Sequence, residues 1–279
     1  MKNLLLALCF AALSPFAVAV DISVGGTMLS IPAPDGFSVV TAEMKPYVEF
    51  SRHMVPSSNE QFVQFLSAAD AALAATGKMP EPERRFYIQT SKALIQPFVA
   101  NADYVQLMRT IKSQNQEISK EIEAQIPGLL QEVNKNIAAD TRVDPGIAMT
   151  QMRPLPPHYE TERALAYSMI LKYSVNDKNG TPVPFEGVVT ATFVHLRGKV
   201  LFLYVNAEKA GLEWSRVEAR KWADAIIAAN PSVGEIAARE ARAPKSGIDW
   251  GSVGTSAIIG GIIGAVIMAI KWLVNRIKG

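Results

Sequence analysis

The sequence predicts an α+β fold, an antiparallel sheet flanked by helices, with an N-terminal signal peptide and one C-terminal transmembrane helix. Three observations predict it. Residues 146–206 alternate strand-forming runs with tight-turn sequences, residues 102–125 carry apolar side chains at helical spacing, and residues 251–270 contain no charge.

Residues 1–19 have the parts of a secretory signal: Lys2 as the charged start, an apolar run over 4–13, and Ala17-Val18-Ala19 as a small-x-small cleavage site. The run is short for a membrane span, so the mature chain is read as starting near Val20. Cys9, the single cysteine, leaves with this segment. The exported domain over 20–229 then has no thiol for a disulfide, a thiolate metal site or a nucleophile, and its core must hold it together. Of the 28 Lys and Arg, Lys2 belongs to the leader and Lys271, Arg276 and Lys278 to the tail, so 24 remain against 26 acidic residues. That balance offers no basic face for nucleic acid.

Residues 21–33 read as two strands around Gly25-Gly26, which accept the positive φ of a tight hairpin, and Pro32, Pro34 and Asp35-Gly36 end the second strand. Residues 42–54 suit a helix stopped by Pro56. Residues 60–66 and 84–90 are strand candidates, with an alanine-rich helix over 68–76 between them; one helix over 59–76 is the open alternative. Residues 102–125 form the clearest helix, with Tyr104, Met108, Ile111, Ile118 and Ile122 near one face. Pro127-Gly128 predicts an interruption before a second helix over 129–138, and the pair is expected on the domain's own sheet or, alternatively, as a partner-binding arm.

The strand-rich half opens at 146–152 and passes a stiff loop with Pro154, Pro156 and Pro157 before a strand over 163–175. Asn179-Gly180 predicts a type I′ hairpin turn, and Arg197-Gly198 a second tight turn joining 187–196 to 199–205. The run over 200–205 is nearly all apolar, which marks a central strand covered on both faces. A helix over 213–229 supplies cover through Ala219, Trp222, Ala223 and Ile226.

Residues 230–250 turn small, polar and charged and read as a tether, extended or with one weak helical turn over 235–242. The twenty uncharged residues over 251–270 would make roughly 30 Å of helix, a bilayer's hydrocarbon thickness. Trp250 and Trp272 stand at its two ends as interface anchors, with Lys271 beside the second. The basic tail over 271–279 places that end in the cytoplasm and the domain outside. Ser256, Gly260 and Gly264 form a row at a spacing of four, with Ala257, Gly261 and Ala265 beside it, the pattern by which membrane helices approach closely. A buried helix of a soluble domain is the alternative reading of the segment.

Taken in order, the opening hairpin ending in Leu29-Ser-Ile-Pro-Ala-Pro-Asp-Gly-Phe37, the middle helices, the strands from Tyr167 to Tyr204 with the Arg197-Gly-Lys-Val-Leu-Phe-Leu turn, and the closing Trp-containing helix resemble the PsbP-like α/β/α sandwich. The resemblance covers residues 21–229 and implies a central antiparallel sheet with helices on both faces. It also implies an accessory or assembly role without catalytic residues. The tryptophan often found after the first strands of that family is missing, and the helical region over 101–139 and the C-terminal anchor are departures.

Chemistry-bearing patterns are sparse. His53, His158 and His195 are isolated and lack metal-site spacing, and no G-x-S-x-G elbow, P-loop or dinucleotide fingerprint occurs, so no metal or cofactor is expected. His195, at a strand end beside Arg197, reads as a surface or edge residue. His158 and Glu160 in the proline-rich loop are the one candidate acid–base pair, the histidine as base and the carboxylate orienting it; the alternative is that both are solvated loop residues. Trp214 lies off the apolar face of its helix and is a candidate partner contact, or packs under a neighbouring loop. The expectation is a single-span accessory or binding protein of the bacterial inner membrane, its domain periplasmic. Its partners would be the bilayer, an envelope protein and, through Ser256, Gly260, Gly261 and Gly264, another copy. An anchored envelope hydrolase built on His158 and Glu160, and a structural spacer, are the competing readings.

Overall fold

The computed structural model describes residues 19–265 other than 114, 143, 178 and 244–246. The chain opens with the expected hairpin, β1 (Ala19–Val24) and β2 (Thr27–Pro32), turned by Gly25 and Gly26 at φ 52° and 81°. A short β3 (Phe37–Val39) leads to α1 (Lys45–Arg52), which has a proline in its first turn.

Over 59–76 the strand-plus-helix alternative holds. β4 (Asn59–Ser67) runs straight into α2 (Ala68–Ala75), and the boundary is chemical: the Ser67 hydroxyl accepts from the Asp70 backbone N–H at 3.1 Å. β5 (Arg84–Ser91) and the single turn α3 (Lys92–Ile95) follow. The helical pair then differs from expectation. α4 (Asn101–Ser113) ends before the polar stretch at 114–116, and α5 (Asn115–Thr141) passes through Pro127 without a break. A proline in a helix removes one backbone hydrogen bond, and here burial of Ile122, Ile126, Leu130, Val133 and Ile137 on both sides of it holds the helix together.

The meander comprises β6 (Ala148–Pro154), β7 (Tyr159–Glu160), β8 (Ala164–Asn176), β9 (Pro182–Leu196) and β10 (Lys199–Glu208). Both expected hairpin turns are present. At 177–180 the Asp177 carboxylate accepts from Asn179 and Thr181 N–H at 2.7 and 2.8 Å, and Gly180 takes positive φ. At Arg197-Gly198 both φ are positive, at 50° and 77°.

The large sheet is antiparallel in the order β3-β4-β5-β10-β9-β8-β6, with β7 paired to β8. β10 is central, as its apolar run required. Period-two alternation then assigns each side chain to one of two cores. Leu201, Leu203 and Val205 join Phe86 and Ile88 under the β1–β2 hairpin and α6 (Leu212–Ala229), while Phe202 and Tyr204 join Tyr87 on the other face with α1, α4 and α5. Trp222 locks the hairpin to α6 by donating its indole N–H to the Pro32 carbonyl at 2.9 Å.

Residues 230–242 do not extend as a tether. Asn230 is buried and exchanges hydrogen bonds with the Ser30 backbone at 2.9 and 2.7 Å. α7 (Gly234–Arg242) is held by the buried carboxylate of Glu240, which accepts from Gly198 N–H at 2.7 Å and Ser232 at 2.9 Å and faces Arg163 at 3.5 Å. The apolar C-terminal segment is the larger surprise. Residues Trp250–Ala265 form α8, which lies on the second face of the sheet with α4 and α5 beside it. Among the described residues no helix is long and apolar enough to cross a membrane. The signal at 1–18, the remainder of the expected span at 266–270, and Lys271, Trp272 and the tail lie outside the described residues.

Candidate functional site

The most unusual construction in the molecule is the groove that holds α8. Asp249 starts the helix: its carboxylate accepts from Gly251 and Ser252 N–H at 3.0 and 3.3 Å. Thirteen of the sixteen residues that follow are buried, Trp250 among them; only Gly251, Ser252 and Thr255 in the first turns reach water, and from Ser256 to Ala265 the helix is enclosed. That matches its composition, since a helix apolar all round must be enclosed.

The floor beneath it is polar. Asn59 of β4 donates to the Ser256 carbonyl at 3.0 Å and to Gln89 Oε1 of β5 at 2.9 Å. The Tyr87 hydroxyl lies 3.3 Å from the carbonyls of both Gly260 and Gly261, and the Tyr204 hydroxyl donates to the Ala257 carbonyl. These donors grip the backbone of α8 directly, and the small-residue rows allow it. A Cβ at position 260 would sit 2.5 Å from Gln89 Oε1 and 2.6 Å from Asn59 Nδ2, and one at 264 would sit 2.1 Å from the Tyr87 hydroxyl. One at 261 would meet the Tyr204 ring at 3.0 Å. Ser256, Gly260, Gly261 and Gly264 therefore face the protein's own sheet, where sequence reasoning expected another membrane helix.

Electrostatics complete the floor. Burial pushes the Tyr87 phenol up to about 12, with the Arg85 guanidinium opposing, and holds Tyr204 well above the ordinary phenol range, so both remain proton donors. Arg85 is 1% exposed; it donates to the Tyr47 hydroxyl at 3.3 Å and stacks 4.4 Å from the centre of the Tyr87 ring. Its Nε has no hydrogen-bond partner, and no carboxylate among the described residues pairs with it. The Asn206 amide lies close enough to Tyr87 to favour its ionised form, yet neither amide atom makes a hydrogen bond of good geometry. A cavity of about 550 Å³ opens at the start of α8, between the 56–58 loop and Gln125 and Leu129 of α5.

The expected acid–base pair is not assembled. Glu160 is exposed and bound to Lys112 of α4 at 2.7 Å, whereas the charged neighbours of His158 are Arg216 and Glu213 of α6. Burial, then the Arg216 charge, lowers the His158 pKa to about 4, with Glu213 opposing. His195 is not an edge residue: it is 1% exposed, stacks on Tyr104 and hydrogen-bonds through Nε2 to the Val99 carbonyl at 2.8 Å. No group of three or more potential metal ligands occurs among the described residues. Trp214 packs on Phe37 and Phe86 under the Arg84 guanidinium, half-buried within the first core.

Sequence reasoning missed Asn59, Arg85, Tyr87, Gln89, Tyr204 and Asn206. A signal existed in β5, where Arg85, Tyr87 and Gln89 alternate with Phe86 and Ile88. Alone it reads as a strand with one wet face, and only the sheet order brings Tyr204 and Asn206 beside it.

An antiparallel sheet with a helical layer on each face defines an α+β sandwich. Solved structures similar to this chain include a mutant Mog1 protein, at 12% identity and a TM-score of 0.29 over 76% of this chain and 93% of that one. The Ran-binding protein Mog1p of Saccharomyces cerevisiae is similar at 12% identity and 0.27, over 74% and 84%. A Pseudomonas aeruginosa protein of unknown function is similar at 15% identity and 0.21, over 77% and 99%. No family model and no curated protein matches the chain.

Proposed function

We propose that this chain is an accessory or binding protein of the bacterial cell envelope, exported by its N-terminal leader, attached to the inner membrane by its C-terminal apolar segment, and acting without catalysis through an envelope protein partner. The observation that carries the reading is the chemistry of α8: a helix with no charged residue, whose uncharged run continues to Ile270 and is followed by a basic tail. A soluble sandwich has no need of so uniformly apolar a terminus, since one apolar stripe is enough to cover a sheet.

The test is chemical crosslinking of the full-length chain in intact cells, followed by capture from carbonate-washed membranes. Retention in the washed membrane with one stoichiometric envelope protein supports the reading; loss of the chain to the wash removes the anchor from it. The hydrolase reading retains one supporting observation, the unpartnered ring nitrogens of His158. Unchanged cellular function in His158→Ala would remove it.

A further inference from the structure

Resting on the anchoring reading above, we propose that α8 exchanges between two sites, the groove on its own sheet and the hydrocarbon of a lipid bilayer, so that the domain stores the anchor it later releases. Three features of the groove carry this. The first is the helix itself, which carries no charge and is apolar all round from Ala257 to Ala265; such a stretch is stable in a protein interior or in a membrane and in no third place.

The second is the bed on which it lies. Beneath an apolar helix one expects leucines and valines; β9 supplies Val189, but β4, β5 and β10 present Asn59, Arg85, Tyr87, Gln89 and Tyr204. A Cβ at 264 would lie 3.0 Å from Arg85 Nη2, and Asn206 is the register partner of Arg85 on β10; both residues are buried, with Arg85 Nε and both Asn206 amide atoms unpartnered. Buried polar atoms without partners weigh against the state that buries them, and a buried cation with no carboxylate among the described residues does so more strongly. Release hydrates the amide, phenol and guanidinium groups of β4, β5 and β10, and it also uncovers Val189 of β9 and the apolar faces of α4 and α5, an exposure that burial of α8 in lipid must offset.

The third is the manner of attachment. Asn59, Tyr87 and Tyr204 bond to carbonyls of Ser256, Ala257, Gly260 and Gly261, oxygens that lie within the helix and face its own backbone N–H groups one turn on. When the sheet lets go, α8 still satisfies its own backbone, the condition for entering lipid. The glycines make the grip specific, since a side chain at 260 or 264 collides with the floor.

The experiment uses the full chain with Cys9→Ser and the pair Asn59→Cys and Ser256→Cys. Asn59 Nδ2 reaches the Ser256 carbonyl at 3.0 Å, which sets the two positions side by side and leaves the glycines unaltered. Oxidised and reduced protein are floated with vesicles of phosphatidylethanolamine and phosphatidylglycerol, and circular dichroism confirms that both are folded. The expected result is loss of flotation on oxidation and its return on reduction. Gly264→Leu, which cannot dock but is more apolar, should float more completely than the unaltered chain, which keeps the test independent of the cysteine pair. Equal flotation of the oxidised and reduced forms overturns the exchange while leaving membrane attachment standing. Failure of every form to float overturns the anchoring reading itself. A disulfide that joins two chains, visible as a doubled mass, overturns storage within one chain and assigns the groove to a second copy's helix.

Discussion

Tyr87 and Tyr204 stack with ring centres 4.7 Å apart and planes 22° from parallel, and both hydroxyls reach backbone carbonyls of α8. Neighbouring strands set this spacing, because Tyr204 pairs with Tyr87 in the β10–β5 register. The pair acts as a two-pronged clamp, and the residues it holds are small so that the prongs can reach the helix axis.

Enlarging the clamped residues should loosen the helix. Gly264→Ala places a Cβ 2.1 Å from the Tyr87 hydroxyl and is expected to destabilise the fold by about 1–3 kcal/mol, the usual range for overpacking. Gly128→Ala in α5 is the contrast, since nothing lies within 4 Å of its Cβ; it should stabilise by about 1 kcal/mol. Urea unfolding of the two variants beside the unaltered chain reads both signs.

Tyr204→Phe removes the hydroxyl and leaves the ring stack in place. A stability loss of about 1 kcal/mol is expected, the net worth of a single hydrogen bond. Hydrogen exchange at the amides of 257–261 should accelerate more than exchange in α6, which does not touch the clamp.

No carboxylate among the described residues pairs with the buried Arg85, so Arg85→Met should be neutral or stabilising. Its hydrogen bond to Tyr47 and its contact with the Tyr87 ring oppose that gain but are contacts of modest strength. A fall in melting temperature on this substitution would show that the arginine is held for the docked state.

His158 predicts a pH dependence. Its pKa is lowered to about 4 from 6.5, so the unfolded chain binds this proton before the folded one does. Stability is therefore full above about pH 6.5 and falls as pH drops toward 4, by up to about 2 kcal/mol once the partial exposure of the ring is allowed for. Burial lowers the pKa of His195 as well, and its contribution falls with pH in the same direction. His158→Gln should flatten the decline over that window without abolishing it, as measured by melting temperature against pH.

Much of the fold was legible locally. Gly25-Gly26 and Arg197-Gly198 announce their turns, the run over 200–205 announces a central strand, and Trp222 with Ile226 announces the buried face of α6. Pro127 misled because a local breaker was judged without the packing on either side of it. Asn179-Gly180 marked the β8–β9 turn, but the Asp177 carboxylate that caps it, accepting from Asn179 and Thr181 N–H, was not read from the sequence.

By itself the sequence determined what α8 is: a run of uncharged residues with small ones at every fourth position, which must be kept from water. Where it is kept was decided only by tertiary structure, because protein interior and lipid impose the same demand on a helix. The distinguishing groups are Asn59, Arg85, Tyr87, Gln89, Tyr204 and Asn206, and nothing near α8 in the chain reports them. They become one surface when β4, β5 and β10 align in register, bringing the Asn59 amide to the Ser256 carbonyl across 197 positions of sequence.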